Sequence, residues 1–222
     1  MKIQIYSHKT PEDALSSADL GVDFIGVAVG EMGRLQAEVS FSNCRKIFSA
    51  IPGNSFASRV ALTVANDLDE ILATIREVGP DIIHLSGNID RMSVEKVAEL
   101  RAAAPETKIM QAIPAKDDTS IELALAYQKV SDYLILDTDL DTFTGIGATG
   151  SCHDWSVSRK VVRTANVPTI LAGGLGPKNV AEAISVVRPW CVDSFTHTNK
   201  ENSRIKDPAK IHAFIRAARN WS

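Results

Sequence analysis

The chain has 222 residues, of which 45% are hydrophobic and 23% are charged, so it can bury a sizeable core and its composition argues against disorder. The net charge is only -3, and no run of lysine and arginine provides the basic stripe typical of nucleic-acid-binding proteins. No apolar run approaches the roughly 18 residues of a membrane span, and the N-terminus does not resemble a signal peptide, so we expect a cytoplasmic protein with no membrane partner.

Strand and helix patterns alternate along the whole chain. Short β-rich runs predict strands at Lys2–Tyr6, Asp23–Val29, Ser58–Val64, Asp81–Leu85, Lys108–Ile113, Tyr133–Asp137, Thr169–Ala172 and Cys191–Ser194. The segments between them carry apolar residues at positions i, i+3 and i+4, which predicts amphipathic helices. Eight strand-helix units predict an α/β protein with a parallel sheet closed into a (β/α)8 barrel, the TIM-barrel fold.

The alternative architecture is an open doubly wound sheet, which normally has a glycine-rich phosphate turn after its first strand. Here that turn reads Ser7-His8-Lys9-Thr10, which favours the barrel. No segment rich in proline, glycine and serine divides the chain, so we predict one domain over residues 1–222. Barrels of this class carry their chemistry on the loops that follow the strands, and candidate residues are sought there.

Two predicted strand ends carry charged candidates. Arg34 lies in the long loop GEMGRLQAEVS after the second strand, where an arginine either binds a substrate carboxylate through two parallel hydrogen bonds or is only solvated. Asp137 directly follows the apolar residues of the sixth strand. A carboxyl group there is costly unless it is hydrogen-bonded or used, which predicts a catalytic acid.

The seventh and eighth strand ends carry candidates for phosphate binding. Gly173 and Gly174 end the seventh strand before a helix, where glycine lets backbone N–H groups approach an anion. The alternative is that they only form a tight turn. After the eighth strand, Thr196 and His197 either contribute to the same phosphate site or belong to a solvated loop.

Metal binding is not favoured by the histidines and cysteines. The histidines that follow predicted strands are His8, His84, His153 and His197. Because no HxH or HExxH spacing is present, acid–base use of one histidine is favoured over a metal, and no metal is predicted. The three cysteines are widely separated, which predicts reduced thiols; they are Cys44, Cys152 and Cys191.

The sequence resembles the phosphoribosylanthranilate isomerase family nearly from end to end. The matching segments are KIQIYSHKTPEDA, GVDFIGVAV, DIIHLSGN, DYLILDT, PTILAGGLGPKNVAEAI and RIKDPAKIHAFI, and the seventh-strand segment is the most specific of them. The resemblance implies a (β/α)8 barrel that is a monomer or homodimer, binds a phosphorylated sugar, and needs neither a metal nor an organic cofactor.

The reaction implied by this resemblance is an Amadori rearrangement. An acid protonates the ring oxygen of a furanose, and a base then removes the C2 proton, so that an aminoaldose becomes an aminoketose. By resemblance, Asp137 matches the general acid and Arg34 the arginine that holds the anthranilate carboxylate. Gly173 and Gly174 match phosphate-binding backbone, and Asp193 matches an acidic substrate-binding residue at the end of the eighth strand.

The catalytic base is the main departure from the family pattern. Ser7 stands at the position assigned to the family's cysteine, and an unassisted serine hydroxyl is far too weakly acidic to act as a base at neutral pH. A histidine, His8 or His84, is the predicted replacement. Three hypotheses follow from the residues: a working isomerase of this family, a divergent paralogue acting on another sugar phosphate, and a catalytically silent barrel that binds a sugar phosphate or a protein partner.

Overall fold

A computed structural model describes residues 1–35, 37–137 and 155–220 of the chain. Within these residues, parallel strands pair in sequence order and the last pairs with the first, which closes the sheet. The strands are β1 (Lys2–Ile5), β2 (Phe24–Ala28), β3 (Ser58–Thr63), β4 (Ile82–Leu85), β5 (Lys108–Pro114), β6 (Tyr133–Asp137), β7 (Thr169–Leu171) and β8 (Cys191–Ser194). The helices are α1 (Pro11–Asp19), α2 (Phe41–Ser49), α3 (Leu68–Val78), α4 (Val94–Ala103), α5 (Thr119–Tyr127), α6 (Trp155–Thr164), α7 (Val180–Val187) and α8 (Pro208–Arg219), with a 3-10 turn at Thr196–Thr198.

This arrangement confirms the predicted (β/α)8 barrel. Each predicted strand overlaps an observed strand, and no strand end differs by more than one residue. Most of the long loop after β6, including Cys152 and His153, lies outside the described residues. None of the helices in the described part of the chain is long and apolar enough to cross a membrane.

Local sequence signals fix where several helices begin. Among the residues that the structure describes, five helices follow a side chain that accepts a hydrogen bond from the first turn; these caps are Thr10, Ser40, Asp67, Ser93 and Asp207. Each such cap typically contributes about 1 kcal/mol to stability. Proline occupies the first position of α1 and α8, where its missing N–H has no cost. The starts of these helices are therefore set largely by residues close to them in sequence.

In the described part of the chain, buried apolar residues form two separate clusters. The larger lies between the strands and the helices and includes Ile3 and Ile5 of β1. The smaller fills the barrel interior and consists of Tyr6, Phe24, Val60, Ile82, Met110, Ala112, Ile135, Ile170, Ala172 and Cys191. Because side chains alternate between the two faces of a strand, Gln4 and Tyr6 point into the barrel while Ile3 and Ile5 face the helices.

A repeated aspartate ties the strands together at the barrel end where they begin. Asp23, Asp81 and Asp132 precede β2, β4 and β6, and each accepts a hydrogen bond from a backbone N–H of the preceding strand at 2.7 to 2.9 Å. Each also pairs with a cation; these are Lys2, Arg59 and Arg101. These contacts stabilise the end of the barrel opposite the mouth, which is the end where the strands terminate and the candidate residues lie.

Candidate active site

The end of β1 places Tyr6 in the barrel interior. The Tyr6 ring packs over Gly26 of β2, where an added Cβ would lie 2.2 Å from Tyr6 Cε1. Ser7 is 2% exposed, and its Oγ accepts a hydrogen bond from Ala28 N of β2 at 2.9 Å. The inward direction of Tyr6 follows from strand alternation, because Gln4 and Tyr6 are two residues apart and point to the same face, whereas Ser7 points to the other. Tyr6 was not among the residues predicted from the sequence.

His8 is a buried residue that joins β2 to α1. Its Nδ1 lies 2.9 Å from Gly26 O, and its Nε2 lies 2.8 Å from Ser17 Oγ. Burial, with a smaller effect of the Lys206 charge, lowers the pKa of His8 to about 3, so the ring is neutral at physiological pH. Both ring nitrogens are engaged inside the protein, which leaves neither for a substrate. Within the described ranges, no three His, Cys, Asp or Glu side chains are grouped so that they could hold a metal ion.

His84 lies in the barrel interior and contacts Tyr6. Tyr6 Oη and His84 Nδ1 are 2.9 Å apart, and the two ring centroids are 5.6 Å apart. Burial lowers the pKa of His84 to about 3 and raises the pKa of Tyr6 well above its ordinary value, so both groups are neutral at pH 7. Among the described residues, His84 Nε2 is buried without a hydrogen-bond partner. The structure thus brings one predicted site residue, His84, against a tyrosine at the barrel mouth.

Two carboxyl groups interact across the other side of the mouth. Asp137 ends β6 and is partly exposed, whereas Asp193 of β8 is buried. Burial, and then the charge of Asp137, raise the pKa of Asp193 well above its ordinary value. Because burial and a neighbouring like charge both disfavour the ionised form, the pair retains a proton at a pH where isolated carboxyl groups would have lost it.

The loops after β7 and β8 contact each other at the mouth. Gly173 and Gly174 have φ angles of +87° and +64°, a region that favours glycine. A Cβ on Gly176 would lie 2.7 Å from His197 Cβ, so His197 packs directly against the β7 loop. Thr196 and His197 are exposed and begin the 3-10 turn. The predicted phosphate-binding residues therefore lie on two adjoining loops.

The loop after β2 is organised by a carboxylate that the sequence did not single out. Glu38 accepts backbone N–H hydrogen bonds from four consecutive residues at 2.6 to 3.3 Å; they are Met32, Gly33, Arg34 and Leu35. The Arg34 side chain extends from this loop to α3, where its Nη1 lies 2.9 and 3.1 Å from the two carboxylate oxygens of Glu70. Arg34 is thus held by an exposed ion pair across the rim of the barrel.

A cavity of about 720 Å³ opens beside Arg34, between the loops after β2, β3 and β4. Its polar lining combines cations and acids; these are Arg34, Arg91 and Lys96 with Asp67, Glu70 and Asp90. The volume is in the range of small-molecule sites. In the closed barrel these strands lie opposite β6, β7 and β8, so the cavity and the glycine loops are on opposite sides of the mouth.

Lys206, which sequence reasoning did not identify, joins the end of β1 to the loop after β8. Its side chain is buried, and its Nζ lies within hydrogen-bonding distance of four oxygen atoms, which are Tyr6 O, Phe195 O at 3.2 Å, Asn199 Oδ1 at 2.6 Å and Thr198 Oγ1 at 3.4 Å. Because β1 and β8 are paired strands, these contacts fix the chain on one side of the mouth. The segment RIKDP showed only a helix start, because these acceptors are distant in sequence or lie on an irregular loop.

Lys206 is expected to make the stability of the protein depend on pH. Burial lowers its pKa from 10.5 to about 7, although Asp193 and Asp13 oppose the shift. Between these two values the unfolded chain binds a proton that the folded protein does not, so raising the pH stabilises the fold. We expect the free energy of unfolding of the wild type, minus that of Lys206→Met, to rise by roughly 3 kcal/mol from pH 7 to 9.5 in urea titrations.

The matched control for this measurement is Lys129→Met, which changes an exposed lysine. Its free energy of unfolding should follow the wild type across the same pH range. A difference between wild type and Lys206→Met that stays constant from pH 7 to 9.5 would contradict the depressed pKa.

Comparisons with known proteins agree on one family. The family model described as N-(5'-phosphoribosyl)anthranilate isomerase matches residues 7–217. A relative from Methanosarcina mazei, named N-(5'-phosphoribosyl)anthranilate isomerase 2, is 34% identical over 221 residues, covering 99% of this chain and 95% of its own. A relative of the same enzyme name from Methanocella arvoryzae is 32% identical over 219 residues, covering 98% of each chain.

Solved structures carry the same name. Phosphoribosyl anthranilate isomerase from Thermotoga maritima superposes with a TM-score of 0.80 at 27% identity, covering 99% of each chain. A structure of this enzyme in complex with reduced 1-(o-carboxyphenylamino)-1-deoxyribulose 5-phosphate superposes with a TM-score of 0.79 at 26% identity over the same coverage. The match extends over the strands and loops that form the mouth described above. The chain therefore belongs to the N-(5'-phosphoribosyl)anthranilate isomerase family.

Proposed function

We propose that the protein isomerises N-(5'-phosphoribosyl)anthranilate to 1-(o-carboxyphenylamino)-1-deoxyribulose 5-phosphate, as a step of tryptophan biosynthesis. The observation that carries this proposal is the interacting pair Asp137 and Asp193 at the ends of β6 and β8, where burial and the charge of Asp137 raise the pKa of Asp193. Ring opening needs an acid in its protonated form, and the proton that the pair retains can pass between the two carboxyl groups.

Asp137 is assigned the role of general acid. It protonates the furanose ring oxygen, and the bond between that oxygen and C1 breaks as the anilino nitrogen donates its electron pair to C1, which forms an iminium ion. Asp137 suits this role because it is partly exposed at the strand end, whereas Asp193 is buried. Asp193 is assigned to substrate binding, where a carboxyl group accepts or donates a hydrogen bond to a ribose hydroxyl.

The substrate phosphate is assigned to the loops after β7 and β8. Gly173 and Gly174 present backbone without a Cβ, so their N–H groups can approach phosphate oxygens. Thr196 adds a hydroxyl donor and His197 an imidazole on the adjoining loop. This placement agrees with the frequent use of this region of (β/α)8 barrels for phosphate.

The anthranilate carboxylate is assigned to Arg34 at the opposite side of the mouth. Arg34 lines the 720 Å³ cavity and is already paired with one carboxylate, that of Glu70. An incoming carboxylate would compete with Glu70 for the guanidinium, which can bind either in the same geometry. Because the two loops lie on opposite sides of the mouth, the substrate would place its two anionic groups at opposite sides, with the reacting carbons between them.

The removal of the C2 proton is the step for which the predicted residues are least suited. The Ser7 hydroxyl oxygen is engaged by Ala28 N, and both nitrogens of His8 are bonded within the protein. His84 remains as a predicted catalytic group, because it lies in the barrel interior next to Tyr6.

The function is tested by incubating the purified protein with N-(5'-phosphoribosyl)anthranilate and following the loss of substrate fluorescence. The aminoketose has the same mass as the substrate, so its formation is followed by chromatographic separation of the two compounds. We expect saturable turnover without added metal or cofactor. Absence of conversion, with failure to restore growth of a tryptophan auxotroph that lacks this isomerase, would overturn the proposal.

Replacing Arg34 by alanine is expected to lower kcat/KM about 30-fold, since a charge-assisted hydrogen-bond pair contributes roughly 2 kcal/mol. With an analogue that lacks the anthranilate carboxylate, the same replacement should change kcat/KM less than about threefold. The matched control is Arg45→Ala, which removes a similar exposed pair with Glu77 on the neighbouring helices. An equal loss with both substrates would refute this role of Arg34.

The assembly state of the chain stays a prediction, as does the single domain over residues 1–222. The isomerase from Thermotoga maritima is described in dimeric and monomeric forms. For this protein we propose a monomer or a homodimer.

A further inference from the structure

The position of Tyr6 suits a group that takes part in the reaction. Tyr6 is the last inward-facing residue at the end of β1, beside the mouth. Strand alternation places Asp137 and Asp193 on the same interior face as Tyr6, because Ile135 and Cys191, two residues earlier on their strands, belong to the interior cluster with Tyr6. Asp193 also interacts electrostatically with both Tyr6 and Asp137.

The Tyr6 hydroxyl is held in place from three directions. Its ring occupies the space left by the missing side chain of Gly26, and its carbonyl oxygen accepts a hydrogen bond from buried Lys206. Its Oη lies 2.9 Å from His84 Nδ1. A hydroxyl group that is hydrogen-bonded to an imidazole can relay a proton, because its oxygen takes one proton while its own hydrogen passes to the imidazole.

His84 has the features of the terminal proton acceptor. Its side chain is 4% exposed, and in the described part of the chain its Nε2 has no hydrogen-bond partner. We assign the tautomer in which Nε2 carries the hydrogen and Nδ1 accepts the Tyr6 hydroxyl, because only this tautomer leaves Nδ1 able to receive a proton.

We propose that Tyr6 and His84 together remove the C2 proton in the proposed isomerisation, with Tyr6 as the group that touches the substrate. Tyr6 Oη takes the proton from C2 while its own hydrogen passes to His84 Nδ1. The electron pair of the C2–H bond forms a double bond between C1 and C2, and the electrons of the iminium bond return to nitrogen. Tyr6 remains neutral and His84 becomes an imidazolium.

The same pair completes the isomerisation by returning the proton. His84 gives its proton back to Tyr6 Oη as Tyr6 gives one to C1, and the enol hydroxyl at C2 loses its proton to solvent to form the ketone. Asp137 recovers its proton from solvent. Protons and charge balance over the cycle, as an isomerisation requires.

Burial of the pair opposes a charge on His84, but the step does not create a new charge. The iminium substrate is already a cation, and the positive charge moves from its nitrogen to the imidazole within one site. The cost is therefore that of moving a charge over a short distance, which is far smaller than the cost of burying one from water.

The inference rests on the proposed function and is tested with Tyr6→Phe and His84→Gln, using N-(5'-phosphoribosyl)anthranilate as substrate. We expect Tyr6→Phe to lower kcat about 10³-fold and His84→Gln about 10²-fold, each with KM within about threefold of the wild type. Glutamine can accept the Tyr6 hydrogen bond but cannot take its proton. The double variant should be no more than about threefold slower than Tyr6→Phe, since the two groups act as one unit.

A substrate with deuterium at C2 separates a chemical role from a structural one. If proton removal is impaired, the isotope effect on kcat should increase in Tyr6→Phe, because C–H cleavage becomes rate-limiting. Loss of structure alone would leave the isotope effect at the wild-type value. The matched controls are Tyr127→Phe, whose hydroxyl donates to Met92 O at 2.7 Å, and His212→Gln on the exposed face of α8.

The outcomes distinguish the two proposals. A wild-type protein that does not convert the substrate overturns both the proposed function and this inference. An active wild type overturns this inference alone if Tyr6→Phe keeps more than about a tenth of kcat, if its isotope effect is unchanged, or if Ser7→Ala loses as much activity as Tyr6→Phe.

Discussion

Replacement of Asp137 by asparagine is expected to lower kcat about 10³-fold and to leave substrate binding nearly unchanged. Asparagine keeps the shape of the side chain at the end of β6 but has no acidic proton to give to the ring oxygen. The proposed phosphate and carboxylate sites lie on other loops and are untouched by the change. Steady-state kinetics gives kcat, and the increase in Tm on adding the reduced product analogue measures whether the site still binds.

The control for this change is Asp19→Asn, which alters an exposed aspartate at the end of α1, away from the mouth. It should retain full activity. If Asp137→Asn kept more than a tenth of kcat, the acid would have to be sought elsewhere, and Asp193 would be the next group to test. If binding of the product analogue were lost as well, the variant would report on the structure of the mouth rather than on proton transfer.

Gly174→Ala is expected to raise KM roughly 10- to 100-fold, with a smaller effect on kcat. Gly174 has a φ of +64°, so alanine strains the turn by about 1 kcal/mol and places a methyl group beside the proposed phosphate. Displacing the turn by even part of an ångström weakens charge-assisted hydrogen bonds that contribute about 1.5 to 3 kcal/mol each. Kinetics over a range of substrate concentrations separates KM from kcat.

The control for the effect of backbone strain is Gly79→Ala. Gly79 ends α3 with a φ of +62°, and an added Cβ would meet nothing within 4 Å. Both variants should lose a similar amount of stability in urea titrations, whereas only Gly174→Ala should raise KM. Equal KM values for the two variants would place the phosphate away from the β7 loop.

The barrel was accessible from the sequence because its signals are local. Alternation of apolar residues within a strand, the i, i+3 and i+4 spacing of helices and the capping residues each involve neighbours along the chain. The strand ends followed from these patterns to within one residue. Since barrel chemistry lies at strand ends, Asp137, Gly173 and Gly174 could also be placed at the mouth before the structure was known.

The end of β1 illustrates what local reasoning does not reach. Motif matching directed attention to Ser7 and His8, whereas the alternation of β1 places Tyr6 in the barrel interior and Ser7 Oγ against β2. Counting every second residue from Gln4 would have indicated from the sequence that Tyr6 faces the same side of the strand as Gln4. It would not have shown that Tyr6 contacts His84, which is 78 residues further along the chain.

The sequence by itself determined the order of strands and helices and, with them, the closed barrel and the placement of Asp137 and the glycine turn at its mouth. The tertiary structure decided which side chains act together. His8 became a bridge between β2 and α1, Lys206 a buried link to Tyr6, and His84 the partner of a tyrosine. Periodicity specifies the face on which a residue lies, but a hydrogen bond between distant segments depends on the packing of the whole barrel, which no local pattern encodes.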